Sequence, residues 1–276
     1  MNDFINDKIN KLIINKIHNP EVDLRVLLNF CSRVSNQIIL SNFNSNQINL
    51  KKFNKLFKRR LTNEPISKII NKKNFWKDEF YVNQFVLDPR PETEGIIEES
   101  LFFIKNKKEK IKILDIGTGS GAIAISLARE FINAKIIAID ISGHALNVAK
   151  KNITKKKYSR KIKLKKTTIN KINEKFDLIV SNPPYLSFDE LKCIPFEIKN
   201  FEPTIALNGG KDGLKLYRQF ADKIPKIMKP SSFFVCEIGH KQFKKCKEIF
   251  KDSGLKFEKK SVDLQKKDRI MVFSKL

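Results

Sequence analysis

The sequence predicts an α/β protein in three parts. These are an all-helical unit over residues 1–72, a β-hairpin linker over 73–95, and an open, mostly parallel sheet of seven strands over 96–276. Three observations predict it. Apolar residues in the first quarter recur at helical spacing. Between residues 74 and 87 the pattern turns aromatic and β-branched, which favours strands. From residue 110 onward short β-rich runs alternate with amphipathic stretches, the pattern of a parallel sheet covered by helices.

In the first part, Ile5, Ile9, Leu12, Ile13 and Ile17 form one stripe over residues 4–18, and Asn19-Pro20 stops that helix. Residues 22–32 read as a second helix with Val26, Leu27 and Phe30 inward, and residues 36–40 begin a short element. Leu50, Phe53, Leu56, Phe57 and Leu61 form a further stripe. Asn63-Glu64-Pro65 reads as an N-cap and a first-turn proline opening a short helix through Ile70. The stripes are core, and the unit carries no catalytic constellation. It reads as a recognition or docking bundle. In the linker, Phe75, Trp76, Phe80, Tyr81, Val82, Phe85 and Val86 form the hairpin, and Pro89-Arg90-Pro91-Glu92-Thr93-Glu94 then opens a helix to about residue 105.

The third part carries the chemistry. Lys110-Ile111-Lys112-Ile113-Leu114-Asp115 is a strand running into Ile116-Gly117-Thr118-Gly119-Ser120-Gly121, and an apolar helix covers 122–131. A strand, a glycine-rich turn and a helix make a ligand-binding corner. The glycine spacing is neither that of the P-loop nor that of the dinucleotide fingerprint. Asp115 stands just before the turn, placed to receive the amino group of a cationic ligand, directly or through water. The next strand, 135–139, ends in Asp140, 19 positions beyond Gly121. A carboxylate there takes both hydroxyls of a ribose. Together these features argue for an adenosyl ligand without phosphates.

Phe176-Asp177-Leu178-Ile179-Val180 is a buried strand, followed by Ser181-Asn182-Pro183-Pro184-Tyr185. Successive prolines fix φ and remove two donors. They also bias Asn182 toward extended backbone. The stiff loop offers two acceptors, the Asn182 side-chain oxygen and the Pro183 carbonyl, that suit the two N–H bonds of one planar NH₂ group. Tyr185 adds a flat face. The plain alternative is a proline-rich turn that only ends a strand. The glycine turn, Asp140 and this loop in that order weigh against it.

The rest alternates: a helix over 145–153, a strand over 162–166, an irregular stretch over 189–212, a helix to Met228, a strand over 232–238 and a helix over 241–252. Strands over 257–262 and 269–274 pair antiparallel, which gives the sheet one reversed edge. Four scattered cysteines and three histidines show no metal-ligand or disulfide spacing, which reads as reduced thiols in a cytosol. No apolar run is long enough to span a membrane, and the start of the chain shows no leader pattern. The net charge of +25 reads either as a nucleic-acid partner or as compositional drift. The excess is lysine, whereas arginine is the better bidentate phosphate ligand, which favours drift.

Leu114-Asp115-Ile116-Gly117-Thr118-Gly119-Ser120-Gly121 with Asp140 resembles the S-adenosylmethionine site of class I methyltransferases, whose sheet is Rossmann-like. Asn182-Pro183-Pro184-Tyr185 resembles the loop of enzymes that methylate planar nitrogen. Nearly the whole chain resembles the HemK/PrmC family, the peptide chain release factor glutamine methyltransferases. Arg59-Arg60 with Glu64-Pro65-Ile66, Phe75-Trp76, the 89–94 segment, Phe201-Glu202-Pro203, Ala206-Leu207, Gly209-Gly210 with Asp212-Gly213-Leu214, and Glu237-Ile238-Gly239 follow that family's order.

The resemblance implies N5-methylation of the glutamine in the Gly-Gly-Gln motif of release factors. It implies S-adenosylmethionine held by Asp115, Gly117, Thr118, Gly119, Ser120, Gly121, Asp140 and Asn182. It implies substrate held by Asn182, Pro183, Pro184, Tyr185 and Arg90, with Asn182, Pro183 and Tyr185 catalytic. It implies a helical unit that docks the release factor; the chain is expected to be a cytoplasmic monomer with no metal or membrane, needing no nucleic acid for catalysis. Two departures stand out. The family's acidic residue after the third strand is replaced here by Lys166-Thr167-Thr168-Ile169-Asn170, so Thr168 or Ile169 is expected to line the adenine. Asp88 stands where the family has an apolar residue. Three rivals remain: a ribosomal-protein glutamine methyltransferase, an adenine N6-methyltransferase, and a non-catalytic RNA-binding protein. The 89–94 segment favours release factors, no separate nucleic-acid-reading domain is evident, and the intact glycine turn, Asp140 and Asn182 argue for retained catalysis.

Overall fold

A computed structural model of the chain describes residues 3–275; residues 1, 2 and 276, including the start of the expected helical unit, lie outside the described residues. The chain divides into two units. The first runs to Lys72 and also takes in Pro195–Phe201; the second comprises Lys73–Ile194 and Glu202 onward.

The first unit is built from helices Asp3–Ile14, Pro20–Phe30, Leu50–Leu61 and Ile66–Ile70. Its core gathers Ile5, Leu12, Leu24, Leu27, Leu28 and Phe53. The first helix ends earlier than its stripe suggests, because Lys16 turns left-handed at φ 58°. Ile17 is still buried but lies beyond the helix, whereas Ile13 is 54% exposed. Pro20 does more than stop the first helix: it opens the second, where its fixed φ suits the first turn. That shift turns Leu24 and Leu28 inward and leaves Val26 and Phe30 half-buried. Residues 36–40 lead into 3₁₀ turns at Leu40–Asn42 and Ser45–Gln47. Asn63, at φ 63°, cannot cap a helix; the short helix starts after Pro65.

Arg60 is buried and bonds Asp23 at 2.7 Å, Glu197 at 2.9 Å and the Glu64 carbonyl at 3.1 Å. Glu197 lies on Phe196–Phe201, so this ion network ties a distant segment into the helical unit. The stretch expected to be irregular in fact contains that helix and Phe188–Lys192.

Beginning at the unit boundary, β1 (Lys72–Phe75) and β2 (Asp78–Tyr81) form the hairpin, turned at Trp76 with φ 54°. The hairpin is shorter than its pattern. Val82 and Val86 pack instead against Ala145 and Val148. The sheet comprises β3 (Lys112–Ile116), β4 (Lys135–Asp140), β5 (Ile162–Lys166), β6 (Phe176–Ser181), β7 (Met228–Glu237), β8 (Lys256–Val262) and β9 (Asp268–Ser274). Their order is β5-β4-β3-β6-β7-β9-β8. The reversed strand is β9, one place in from the edge. Of the final hairpin, it is the second strand that pairs with β7, which leaves β8 outside.

Both faces of the sheet are covered, so its central strands are apolar on both sides. Ile113 faces a core with Phe80, Ile96 and Ile123, while Leu114 faces one with Tyr217, Phe220 and Phe234. Helices Glu94–Phe103 and Ala122–Glu130 supply the first core, and Lys215–Ile227 with Phe243–Lys251 the second. Among the described residues no helix is long and apolar enough to cross a membrane.

One buried polar side chain joins three elements. Asn152, on helix Gly143–Lys155, is 0% exposed. Its Oδ1 accepts from the Tyr81 amide at 2.8 Å, and its Nδ2 donates to the carbonyls of Tyr81 and Ser120, each at 2.9 Å. It clamps hairpin and glycine turn to the same helix. An orphaned buried partner costs about 1–3 kcal/mol. Asn152→Ala is therefore expected to lower unfolding free energy by about 3 kcal/mol in urea titration. Asn152→Asp, which turns a carboxylate toward two carbonyls, is expected to lose at least as much.

Candidate active site

The strand order reverses at β3, which pairs with β4 on one side and β6 on the other. Ligands of open α/β sheets bind at the carboxyl ends of strands at such a point. Ile116 is in register with Ile139 and with Ser181, and the Ser181 hydroxyl donates to the Ile116 carbonyl at 2.9 Å. The glycine turn, Asp140 and Asn182 are thereby brought to one edge.

The turn is shaped by left-handed backbone at Gly117, Gly119 and Gly121, with φ of 73°, 53° and 81°. The amides of Gly117 and Thr118 both donate to the Ile139 carbonyl, at 2.9 and 3.0 Å. At Gly121 a side chain would also meet Ala149 Cβ at 3.3 Å, so helix Gly143–Lys155 could not lie this close. Above Gly117 and Gly119 there is room for a ligand: an added Cβ would meet nothing nearer than 3.9 Å.

Asp140 ends β4 as expected. Its Oδ2 accepts from the Gly119 amide and its Oδ1 from the Ser142 amide, each at 2.9 Å. It is only partly covered, and each oxygen keeps a further lone pair, so a diol fits there. Burial pushes its carboxyl above the usual range despite these bonds.

Asp115 is 0% exposed. Thr118 Oγ1 donates to its Oδ2 at 2.6 Å, while its Oδ1 has no partner among the described residues. Burial raises its carboxyl to about 7, with the Asp140 charge adding and the Thr118 bond opposing. The direct contact with a ligand amino group expected from the sequence is closed off here, because the turn covers the carboxylate. A negative charge at that depth still favours a cation above the turn through its field.

The adenine expectation divides. Ile169 is buried with Ile116, Ile137 and Ile139 and serves the core, whereas Thr168 is exposed at the head of the 3₁₀ turn Ile169–Lys171. Thr167 is the residue stitched to the site, its amide donating to the Asp140 carbonyl at 3.1 Å.

Asn182 is partly buried. Its Nδ2 donates to Thr93 Oγ1 at 2.9 Å, and Thr93 Oγ1 donates to Glu237 Oε2 at 2.6 Å. Thr93 opens helix Glu94–Phe103, but its hydroxyl does not cap that helix. Glu237, at the end of β7, is 2% exposed, and burial lifts its carboxyl to about 7 against the bond from Thr93 and the charge of Arg269. Tyr185 interacts with the same carboxylate; burial first, then that charge, pushes its phenol well up. The Tyr185 carbonyl accepts from Gln242 Nε2 at 2.9 Å. Gly213 lies so close that an added Cβ would stand 2.4 Å from that carbonyl, so only glycine lets its loop support Tyr185. Arg90 is committed: its Nη2 bonds both oxygens of buried Glu202 at 2.8 Å.

Sequence reading missed Thr93, Glu237 and Gln242 as parts of the site. A polar residue at the end of an apolar strand was the available signal for Glu237. A cavity of about 460 Å³ lies at the opposite end of the sheet, lined by Lys110, Lys112, Lys135, Arg160, Lys161 and neighbours, and adds nothing to this chemistry.

The elevated Asp115 has a consequence for stability. Its folded value exceeds its unfolded one, so the stability it confers is present below the unfolded value and lost as pH rises toward 7. Asp115→Asn is expected to stabilise the ligand-free protein at pH 8 by the order of a few kcal/mol and to change little at pH 4. Thermal unfolding across that range checks it. The same variant is expected to bind a cationic ligand more weakly.

A methyltransferase-domain family matches residues 107–270. The chain is 37% identical to the bifunctional methyltransferase of Rickettsia felis over 97% of its own length and 56% of that protein. It thus spans about half the length of that relative. It is 37% identical to the release factor glutamine methyltransferase of Buchnera aphidicola subsp. Baizongia pistaciae, over 84% of this chain and 83% of that one. A methyltransferase structure from Pyrococcus furiosus shares the fold, with a TM-score of 0.53 at 19% identity over 79% of this chain and 96% of that one. By identity and coverage, with the glycine turn and the Asn182 loop at one sheet edge, the chain belongs to the release factor glutamine methyltransferase family.

Proposed function

We propose that the chain transfers a methyl group from S-adenosylmethionine to the side-chain amide nitrogen N5 of the glutamine in the Gly-Gly-Gln motif of peptide chain release factors, in the cytoplasm. The observation that carries the reading is the tether on Asn182. Its Nδ2 is held by Thr93, which leaves Oδ1 as the end offered to a substrate.

When bound, S-adenosylmethionine supplies a methyl carbon already activated by a positive sulfonium. Gly117 to Gly121 and Asp140 would hold it, above buried Asp115. The remaining problem belongs to the protein. An amide nitrogen is a poor nucleophile because its lone pair is delocalised. Asn182 Oδ1 and the Pro183 carbonyl accept hydrogen bonds from its two N–H groups and orient the nitrogen toward the methyl carbon; on gaining the methyl group the nitrogen sheds one of these protons to water. Orientation of this kind supplies a large share of rate acceleration. The same acceptors stabilise positive charge growing on the nitrogen. Tyr185 packs against the glutamine side chain. Arg90, bound to Glu202, acts as a support of this wall and leaves substrate contact to the loop.

The same pair of acceptors would grip any planar NH₂ group, including that of adenine, so the test offers a choice. Labelled methyl donor is supplied with release factor, ribosomal protein or nucleic acid. Label on the release-factor glutamine supports the proposal, and label only elsewhere overturns it. Asn182→Ala is expected to lower turnover on release factor by about 10²–10³ with donor affinity largely kept. Turnover within a few-fold of wild type would remove the amide-gripping role.

The helical unit is proposed to recognise the body of the release factor. Ile13 and Ile14, 54% and 76% exposed, are apolar side chains the fold does not use. Ile14→Glu is expected to raise KM for whole release factor about tenfold, the effect of one interface anchor worth about 1.4 kcal/mol. A short Gly-Gly-Gln peptide should show no change. Equal effects on protein and peptide would place Ile14 outside the docking surface.

A further inference from the structure

We propose that Thr93 and Glu237 decide which end of the Asn182 amide faces the substrate, by fixing the direction of a two-step hydrogen-bond chain. The inference rests on the amide-gripping role proposed for Asn182.

The donor and acceptor ends of an asparagine amide have nearly the same shape, so packing alone does not choose between them. A residue that must accept N–H bonds works one way round only. The choice must come from a hydrogen-bond partner whose own polarity is fixed. A carboxylate is such a partner, because it only accepts.

Glu237 Oε2 lies 2.6 Å from Thr93 Oγ1, and Thr93 Oγ1 lies 2.9 Å from Asn182 Nδ2. Thr93 and Glu237 are 4% and 2% exposed, so solvent does not compete. Thr93 has one proton, and an ionised Glu237 claims it. The lone pairs of Thr93 are then left to accept. Only the NH₂ end of Asn182 can face them, and Oδ1 turns to the substrate side. Neither Thr93 nor Glu237 is a catalytic residue; both are positioning residues acting through Asn182.

The chain has a direction only while Glu237 is ionised. A neutral carboxyl can donate as well as accept. The Thr93 proton is then free to point at Asn182 and hold Oδ1 the wrong way round. The groups around this carboxyl are Thr93, Tyr185, Arg269, Glu92, Cys236 and Tyr217, whose hydroxyl donates to the Glu237 carbonyl. Burial brings Glu237 to about 7, so the direction is lost as pH falls below neutrality.

Kinetics and a turnover-independent readout test this together. Thr93→Val is expected to lower kcat about tenfold, the order of one lost buried hydrogen-bond preference, with little change in donor KM. Thr93→Ser should recover most of it. Glu237→Gln should lower kcat at saturating donor to a similar degree and remove the acid limb near pH 7 expected in the wild-type kcat, whereas titration of Asp115 should move donor KM. The double variant should be no worse than Thr93→Val, because Glu237 acts only through Thr93. Additive losses, or an unchanged acid limb in Glu237→Gln, overturn the proposal.

The second readout is the side-chain NH₂ of Asn182 by ¹⁵N NMR. It should be protected from exchange in wild type and Thr93→Ser and lose protection in Thr93→Val. Equal protection in all three overturns the relay even if the protein proves to methylate another substrate. Conversely, a wild type without activity on release factor refutes the functional reading and leaves this measurement standing. If Thr93→Val does not fold, Glu237→Gln decides alone: full kcat with its acid limb intact sinks the proposal.

Discussion

The register of β3 against β4 and β6 is the constraint on which the rest depends. Parallel strands deliver their carboxyl ends to one edge. Because β3 is entered from β4 on one side and β6 on the other, two loops far apart in sequence emerge side by side there. Ile116 fixes both neighbours, pairing with Ile139 and Ser181. A slip of one residue would turn Leu114 and Ile113 to the wrong cores and move Asn182 off the turn, so burial on both faces protects the site's geometry.

What was legible in the sequence follows from the range of the forces involved. The glycine turn, Asp140 and the double proline are written locally: glycine favours left-handed backbone, and each proline stiffens itself and the residue before it. The alternation of strands and helices gave the sheet, because both faces of β3, β4 and β6 must be apolar. The partners that complete the site are not local. Thr93 lies 89 positions from Asn182 and 144 from Glu237, and Thr93 reads in sequence as an ordinary helix start. Arg90 was expected to hold substrate on the family resemblance; its partner Glu202 is 112 positions away, out of reach of any local pattern. Asn152 looks like any polar residue on a helix, yet it closes three hydrogen bonds in the interior.

The helical unit shows the same division. Its stripes located the helices, but phase was set by turns the stripes do not encode. Pro20 at a first helical turn shifted the inward face to Leu24 and Leu28. Arg60 was visible only as one of two adjacent arginines. In the fold it is 4% exposed and held by two carboxylates, one of them Glu197. Leaving a buried arginine without one of its carboxylates is costly, so this residue helps bind the segment around residue 197 into the unit otherwise made of residues up to Lys72.

Two buried carboxylates flank the site, Asp115 beneath the turn and Glu237 behind Asn182, each raised to about 7 mainly by burial. Groups raised in this way make the folded chain hold more protons than the unfolded one below neutrality, so their contribution to stability falls as pH rises through that range. The proposed function asks for the opposite. The proposed methyl transfer would handle positive charge throughout, first on the donor and then on the amide nitrogen. An ionised Asp115 favours the one, and an ionised Glu237 fixes the acceptor that favours the other. The protein thus keeps two groups whose useful state is their less stable one. Thr118 and Thr93 each donate a short hydrogen bond of 2.6 Å to one of them, which offsets part of the burial cost at the charge the chemistry requires.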